Sequence, residues 1–215
     1  MKITYFIIAL VLVIASCKKD DDNSGNSNSI GGSTSIPINT VGNTWANSII
    51  AGTSFYQGTI TITSITDGVA TVQFSAAIPA NIPILQGIKA KYKDGSGNLI
   101  CEGKYKMTDA GILDYNNIDH EPFVLVKFDA SVGDKYTLTK SDGTKIVREV
   151  VRKSTTDDYY WGGMLIKTID VEQSSNIPGV KKITYFSNHK FGLVGVMVEM
   201  DDGSKPQLSL FPTTY

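Results

Sequence analysis

Four Asp-Gly pairs, at Asp67-Gly68, Asp94-Gly95, Asp142-Gly143 and Asp202-Gly203, punctuate the chain between short runs of alternating apolar and polar residues. Alternation with a period of two puts successive side chains on opposite faces of an extended strand. An Asp-Gly between two such runs favours a tight reversal, because a type I′ turn needs positive φ at both central residues. In the clearest case Ile60 and Ile62 alternate with threonines within Phe55 to Thr66, and Ala70, Val72 and Phe74 share one face after the turn. A chain built this way pairs each strand with its sequence neighbour, antiparallel.

The pattern recurs. Ile88, Ala90 and Tyr92 alternate with lysines, Asp94 to Asn98 turns the chain, and Leu99, Cys101, Tyr105 and Met107 return opposite Glu102, Lys104 and Lys106. One apolar and one charged face suit an antiparallel sheet wetted on one side. Between these units Ile78 to Leu85 carries Pro79 and Pro83, which argues for a loop or an edge. Beyond Met107 the pattern weakens, with a turn at Asp109 to Gly111 and a polar loop from Asp114 to Glu121. Phe123 to Phe128 reads as a strand, Thr137 to Lys140 pairs with Ile146 to Arg152, Leu165 to Val171 with Lys181 to Phe186, and Gly192 to Met200 with Gln207 to Phe211. The expected fold is all-β, an antiparallel meander of hairpins forming a curved sheet, barrel or half-barrel. The alternative is a tandem of β-sandwiches, split near Asn116 to Pro122.

The amino terminus sets the location. After Lys2, residues Ile3 to Ala15 carry no charge. The run is shorter than the roughly 20 apolar residues that span a bilayer and suits the core of a signal peptide. It ends in Ile14-Ala15-Ser16-Cys17, which resembles the lipobox of bacterial lipoproteins. That resemblance implies a signal peptide over 1–16 and lipidation of the Cys17 thiol. Each buried methylene contributes about 0.8 kcal/mol, so two or three acyl chains hold a protein at a membrane. The run Lys18-Lys19-Asp20-Asp21-Asp22 is similar to the export signal of surface-exposed lipoproteins of the Bacteroidetes. It implies an outer-membrane lipid anchor with the body facing the cell exterior, the periplasmic face being the alternative. Residues 17–37 are read as the lipidated cysteine and a tether, too poor in apolar residues to order itself, and 38–215 as the β domain.

With 20 basic and 21 acidic residues the chain is near neutral, so nothing tracks a phosphate backbone and no nucleic-acid partner is expected. Cys101 is left without a partner cysteine once Cys17 is lipidated, and it falls at an apolar strand position that suits a buried thiol. His120 and His189 are the only histidines. Asp119 neighbours His120, yet no Gly-x-Ser-x-Gly elbow accompanies them, and two histidines fall short of a typical zinc site. The acidic clusters Asp20 to Asp22, Asp157-Asp158 and Asp201-Asp202 lack the ligand spacing of a calcium loop. No cofactor, metal or catalytic residue is expected, and a hydrolase is the remote option.

Tyr159-Tyr160-Trp161, followed by Gly162-Gly163, is the candidate binding patch, a stacking platform for a glycan, peptide or protein ligand. The competing reading packs alternate members inward, with the glycines as a bulge. Val132-Gly133-Asp134-Lys135-Tyr136, Ile183-Thr184-Tyr185-Phe186 and Phe191-Gly192-Leu193-Val194 together resemble phrases of uncharacterised envelope lipoproteins with a barrel-like β domain. Gly195 stands where a basic residue often follows in them, and the resemblance implies a fold but no functional residue. Two roles are expected: a noncatalytic, surface-exposed binding or structural module, or a periplasm-facing lipoprotein that holds a lipid or assists envelope assembly. A large apolar cavity favours the second, and a filled core with an exposed aromatic strip favours the first.

Overall fold

The structure, a computed structural model, describes residues 28–51, 54–77 and 90–213. The signal peptide, Cys17 and the Lys18 to Asp22 run lie outside the described residues, as do Ile88 and the Pro79 to Pro83 stretch. Fourteen strands are present among the described residues: β1 (Thr44–Ala51), β2 (Ser54–Thr66), β3 (Val69–Ala76), β4 (Leu99–Thr108), β5 (Gly111–Asp114), β6 (Phe123–Lys127), β7 (Lys135–Thr139), β8 (Lys145–Lys153), β9 (Tyr159–Trp161), β10 (Met164–Ile166), β11 (Ile169–Ser174), β12 (Val180–Asn188), β13 (Gly192–Met200) and β14 (Gln207–Pro212). Twelve form one antiparallel sheet in the order β6-β5-β4-β3-β2-β1-β14-β13-β12-β11-β8-β7, nearly closed into a barrel. The first and last strands join through β1 and β14, paired from Trp45 opposite Pro212 to Ile50 opposite Gln207. A single sheet runs unbroken through β5 and β6 on either side of residues 116–122, so the tandem-sandwich alternative is excluded.

Asp-Gly steers the chain in two ways. At Asp67-Gly68 both residues have positive φ, 52° and 77°, the type I′ geometry that matches strand twist. At Asp142-Gly143 and Asp202-Gly203 only the glycine does, at 78° and 80°. There the aspartate instead accepts the N–H two residues on, from Thr144 and from Ser204, each at 2.9 Å. The side chain thus supplies part of the turn. Ala90–Tyr92 is a 3₁₀ turn and Lys93 makes an isolated bridge to Leu99, so the strand expected over Ile88 to Tyr92 is absent from its described part. The Asp94 carboxylate, bonded to the N–H of Ser96 and of Asn98, both at 2.8 Å, wraps the chain into a local loop before β4.

No ladder joins β6 to β7 among the described residues. Side chains cross that seam instead. Arg148 of β8 donates Nη1 to the carbonyl of Val124 at 3.0 Å, and Lys153 donates Nζ to that of Ala130 at 2.8 Å. Ser141, in the β7–β8 turn, donates its N–H to Asp119 in the β5–β6 loop at 2.9 Å.

Residues 28–37, assigned by composition to the tether, follow a fixed path along one end of the barrel. The Ser33 N–H bonds Asp109 Oδ1 at 2.8 Å, and Asp109 returns its own N–H to the Ser33 carbonyl at 3.2 Å. Ile36 packs on the core and Ile38 is buried within it. Averaged composition hides Ile36, an apolar side chain inside the tether's bounds that packs on the core.

Candidate functional site

The barrel interior is not filled. A cavity of about 310 Å³ runs through it, walled mainly by apolar side chains such as Trp45, Val72, Phe74, Leu125, Ile183 and Val196. Each comes from a strand that alternates inward and outward, so the wall is a product of period-two patterning. Cys101 is buried in the same wall, and that burial pushes its thiol up to about 12, which leaves it protonated and unreactive. At the end formed by the β5–β6, β7–β8 and β11–β12 connections the lining turns polar, with Asn116, Asn117, Lys140, Lys145, Ser174 and Asn176. Lys145, Ser174 and Asn176 are exposed, so the cavity reaches solvent there.

Just inside that polar end sits a buried ion pair. Ile146, Arg148 and Val150 share the inward face of β8, and Arg148 is 4 % exposed. Its Nη2 bonds the Asp114 carboxylate, its Nε donates to Gln173 Oε1 at 2.8 Å, and its Nη1 holds the β6 carbonyls. The guanidinium lies 4.2 Å from the Phe123 ring centre and 5.2 Å from that of Tyr185. Burial alone would lower its pKa, but Asp114 and Tyr185 outweigh that and raise it. Burial first, then the Asp114 charge, raises the Tyr105 phenol well above its ordinary value. Burial likewise raises the Tyr185 phenol, so at neutral pH the guanidinium is charged and both phenols keep their protons.

The aromatic patch resolves into separate roles. Trp161 is 5 % exposed and donates Nε1 to the Leu210 carbonyl at 2.8 Å. Tyr159 stacks on Phe186 with ring centres 5.0 Å apart and receives a bond from Gln207. Only Tyr160 faces solvent, at 74 % exposure, opposite exposed Leu165 on the paired strand. Gly162 and Gly163, with φ of 57° and 89°, form the two-residue turn of the β9–β10 hairpin, not a bulge. The hairpin lies on the outer faces of β12 to β14, where Phe186, Val194, Met197 and Phe211 make a second small core beneath it.

His120 and His189 are exposed, the former in a turn with φ of 56°. Asp119 bonds Ser141 across the seam. Asp157 and Asp158 precede β9, where Asp158 pairs with Arg152 at 2.6 Å, and Asp201 and Asp202 form the β13–β14 turn. Among the described residues no group of three or more His, Cys, Asp or Glu side chains could hold a metal. Arg148, Asp114 and the cavity itself escape a reading by motif. The available signal is parity: Arg148 falls between Ile146 and Val150 on one face of an alternating strand.

No protein-family model matches the chain, and no curated protein matches it. Among solved structures it is similar to a protein of Bacteroides fragilis described as exported and as having a YmcC-like fold. The likeness has 9 % identity and a TM-score of 0.48, and covers 80 % of this chain and 94 % of that one.

Proposed function

We propose that this chain is a noncatalytic envelope lipoprotein whose near-closed barrel holds a molecule with a long apolar chain. The observation that carries the proposal is the cavity of about 310 Å³, apolar along its length and polar where it meets solvent. Its size falls at the lower end of the range for small-ligand pockets, and a largely apolar pocket with few polar groups is their usual composition. A lipid matches it, with its hydrocarbon inside the wall and its head beside Lys140 and Lys145. This supports the lipid-holding role over the surface aromatic platform, since Trp161 is buried and Tyr159 half-buried beneath the hairpin.

The cavity is tested with the mature chain and a fluorescent polyene fatty acid. Saturable binding is expected, and Val72→Trp, which places a large ring in the cavity, is expected to weaken it at least about tenfold. Overpacking costs about 1–3 kcal/mol, so circular dichroism checks that the variant remains folded. Absence of uptake, or unchanged uptake by folded Val72→Trp, overturns the reading. The anchor is tested separately. Cys17→Ala is expected to release the chain from membranes or to leave its precursor unprocessed, and a mutant that is still cleaved and membrane-bound contradicts lipidation.

A further inference from the structure

The charged side chains that line the cavity are Asp114, Lys140, Lys145 and Arg148. Asp114 and Arg148 satisfy each other, so the two lysines carry the charge of the lining that no other lining residue balances. Lys140 reaches Asp142 of its own turn at 3.4 Å, a water-exposed contact of the kind that contributes little and that an incoming anion can share. Lys145 is exposed and forms no ion pair among the described residues. Hydrogen-bonding capacity at this end is as lopsided as the charge. Asp114 accepts the guanidinium and the Asn116 N–H, the latter at 3.2 Å. Asn116 Oδ1 accepts the Lys104 N–H at 2.8 Å, Asn117 Oδ1 the N–H of Asp119 and of Glu121 at 3.2 Å each, and Gln173 Oε1 the Arg148 Nε at 2.8 Å. The protein thus uses these acceptors itself, whereas each lysine presents three donors and no acceptor.

We infer that the cavity selects an amphiphile with an anionic head, a carboxylate or a phosphate monoester, whose oxygens accept from Lys140 and Lys145 at the opening. An anionic oxygen bonded to an ammonium makes a stronger hydrogen bond than a neutral pair does. A neutral alcohol forgoes that gain, and a cationic head meets two like charges, which is discrimination by repulsion. Both lysines belong to the lining itself, so a head at the polar end meets them while its chain lies along the apolar wall. The inference rests on the lipid-holding reading and names the chemistry of the ligand's head.

The experiment is competition against the bound polyene fatty acid in the mature protein, with dodecanoate, monododecyl phosphate and dodecan-1-ol, which share one chain and differ in the head. At least one of the two anions is expected to compete about fivefold or more better than the alcohol, the scale of two water-exposed charge contacts. In Lys140→Gln/Lys145→Gln, checked for folding by circular dichroism, that advantage is expected to fall to about twofold or less, and Lys140→Arg/Lys145→Arg is expected to keep it. In the unsubstituted protein the advantage is expected to shrink in about 1 M salt, where the screening length falls to about 3 Å, a readout that needs no variant. The anion with the larger advantage identifies the head as carboxylate or phosphate, and either supports the inference. Equal competition by alcohol and anions, or an advantage that survives in the double glutamine variant, overturns the inference and leaves the cavity reading standing. Failure of the polyene acid and of all three competitors to bind overturns both.

Discussion

Arg148→Met is expected to lower the unfolding free energy by about 3–5 kcal/mol, the loss typical when one partner of a buried ion pair is removed. The variant strands an Asp114 carboxylate whose side chain is 8 % exposed, and it strips the Phe123 and Val124 carbonyls and Gln173 of their shared donor. β6 is an edge of the sheet, and among the described residues no strand pairs with its open side. Arg148→Lys is expected to recover little, because one ammonium cannot present the planar fork that reaches a carboxylate, an amide and two carbonyls at once. The informative partner is the double variant Arg148→Met/Asp114→Leu. Removing both charges also removes the cost of burying them, so its loss should fall well short of the two single losses added together. Urea unfolding of the four proteins gives the coupling directly. Additive losses would mean that the pair is not a unit.

The parts of this fold that were legible in sequence are those governed by local chemistry. Alternation in Leu99 to Met107 and in Gly192 to Met200 marked strands that the structure contains as β4 and β13. Asp-Gly marked three hairpin turns, although only Asp67-Gly68 is of the type that the dipeptide favours. β5 shows no alternation, because Gly111–Asp114 is buried at every position. The strands of the β9–β10 hairpin have three residues each, too short to display a period. The site was hidden for a different reason. A cavity is the volume that inward side chains fail to fill, and that depends on how many strands the sheet has before it curls closed. No window of sequence contains that number. Parity places Arg148 beside Ile146 and Val150, but its pairing is decided by β5, β6 and β11, which lie elsewhere in the chain.

Trp161→Ala is expected to free the β9–β10 hairpin from the barrel at a cost of about 3–5 kcal/mol, the range for truncating a buried aromatic side chain to alanine. Two strands of three residues cannot persist alone in water, so the hairpin exists by virtue of what it covers. Trp161 is its anchor, with ring centres 4.7 Å from Phe191 and 5.7 Å from Phe211 and its indole N–H on the Leu210 carbonyl. A second hold is Tyr159, whose hydroxyl oxygen lies 2.9 Å from where a Cβ on Gly195 would sit. Gly195→Val should therefore displace Tyr159 and loosen the same hairpin from its other end, without touching Trp161. Because the twelve-stranded sheet does not route through β9 and β10, the loss should be local. Limited proteolysis and deuterium exchange should find cleavage and exchange rising within residues 154–168, while β2, β3 and β4 stay protected. Tyr160→Ala, removing a ring that is 74 % exposed, should change stability by no more than about 0.5 kcal/mol. If Trp161→Ala instead loosens β2 to β4 together with the hairpin, the outer core and the barrel wall unfold as one unit. The cavity would then depend on the aromatic cover as much as on the ladder beneath it.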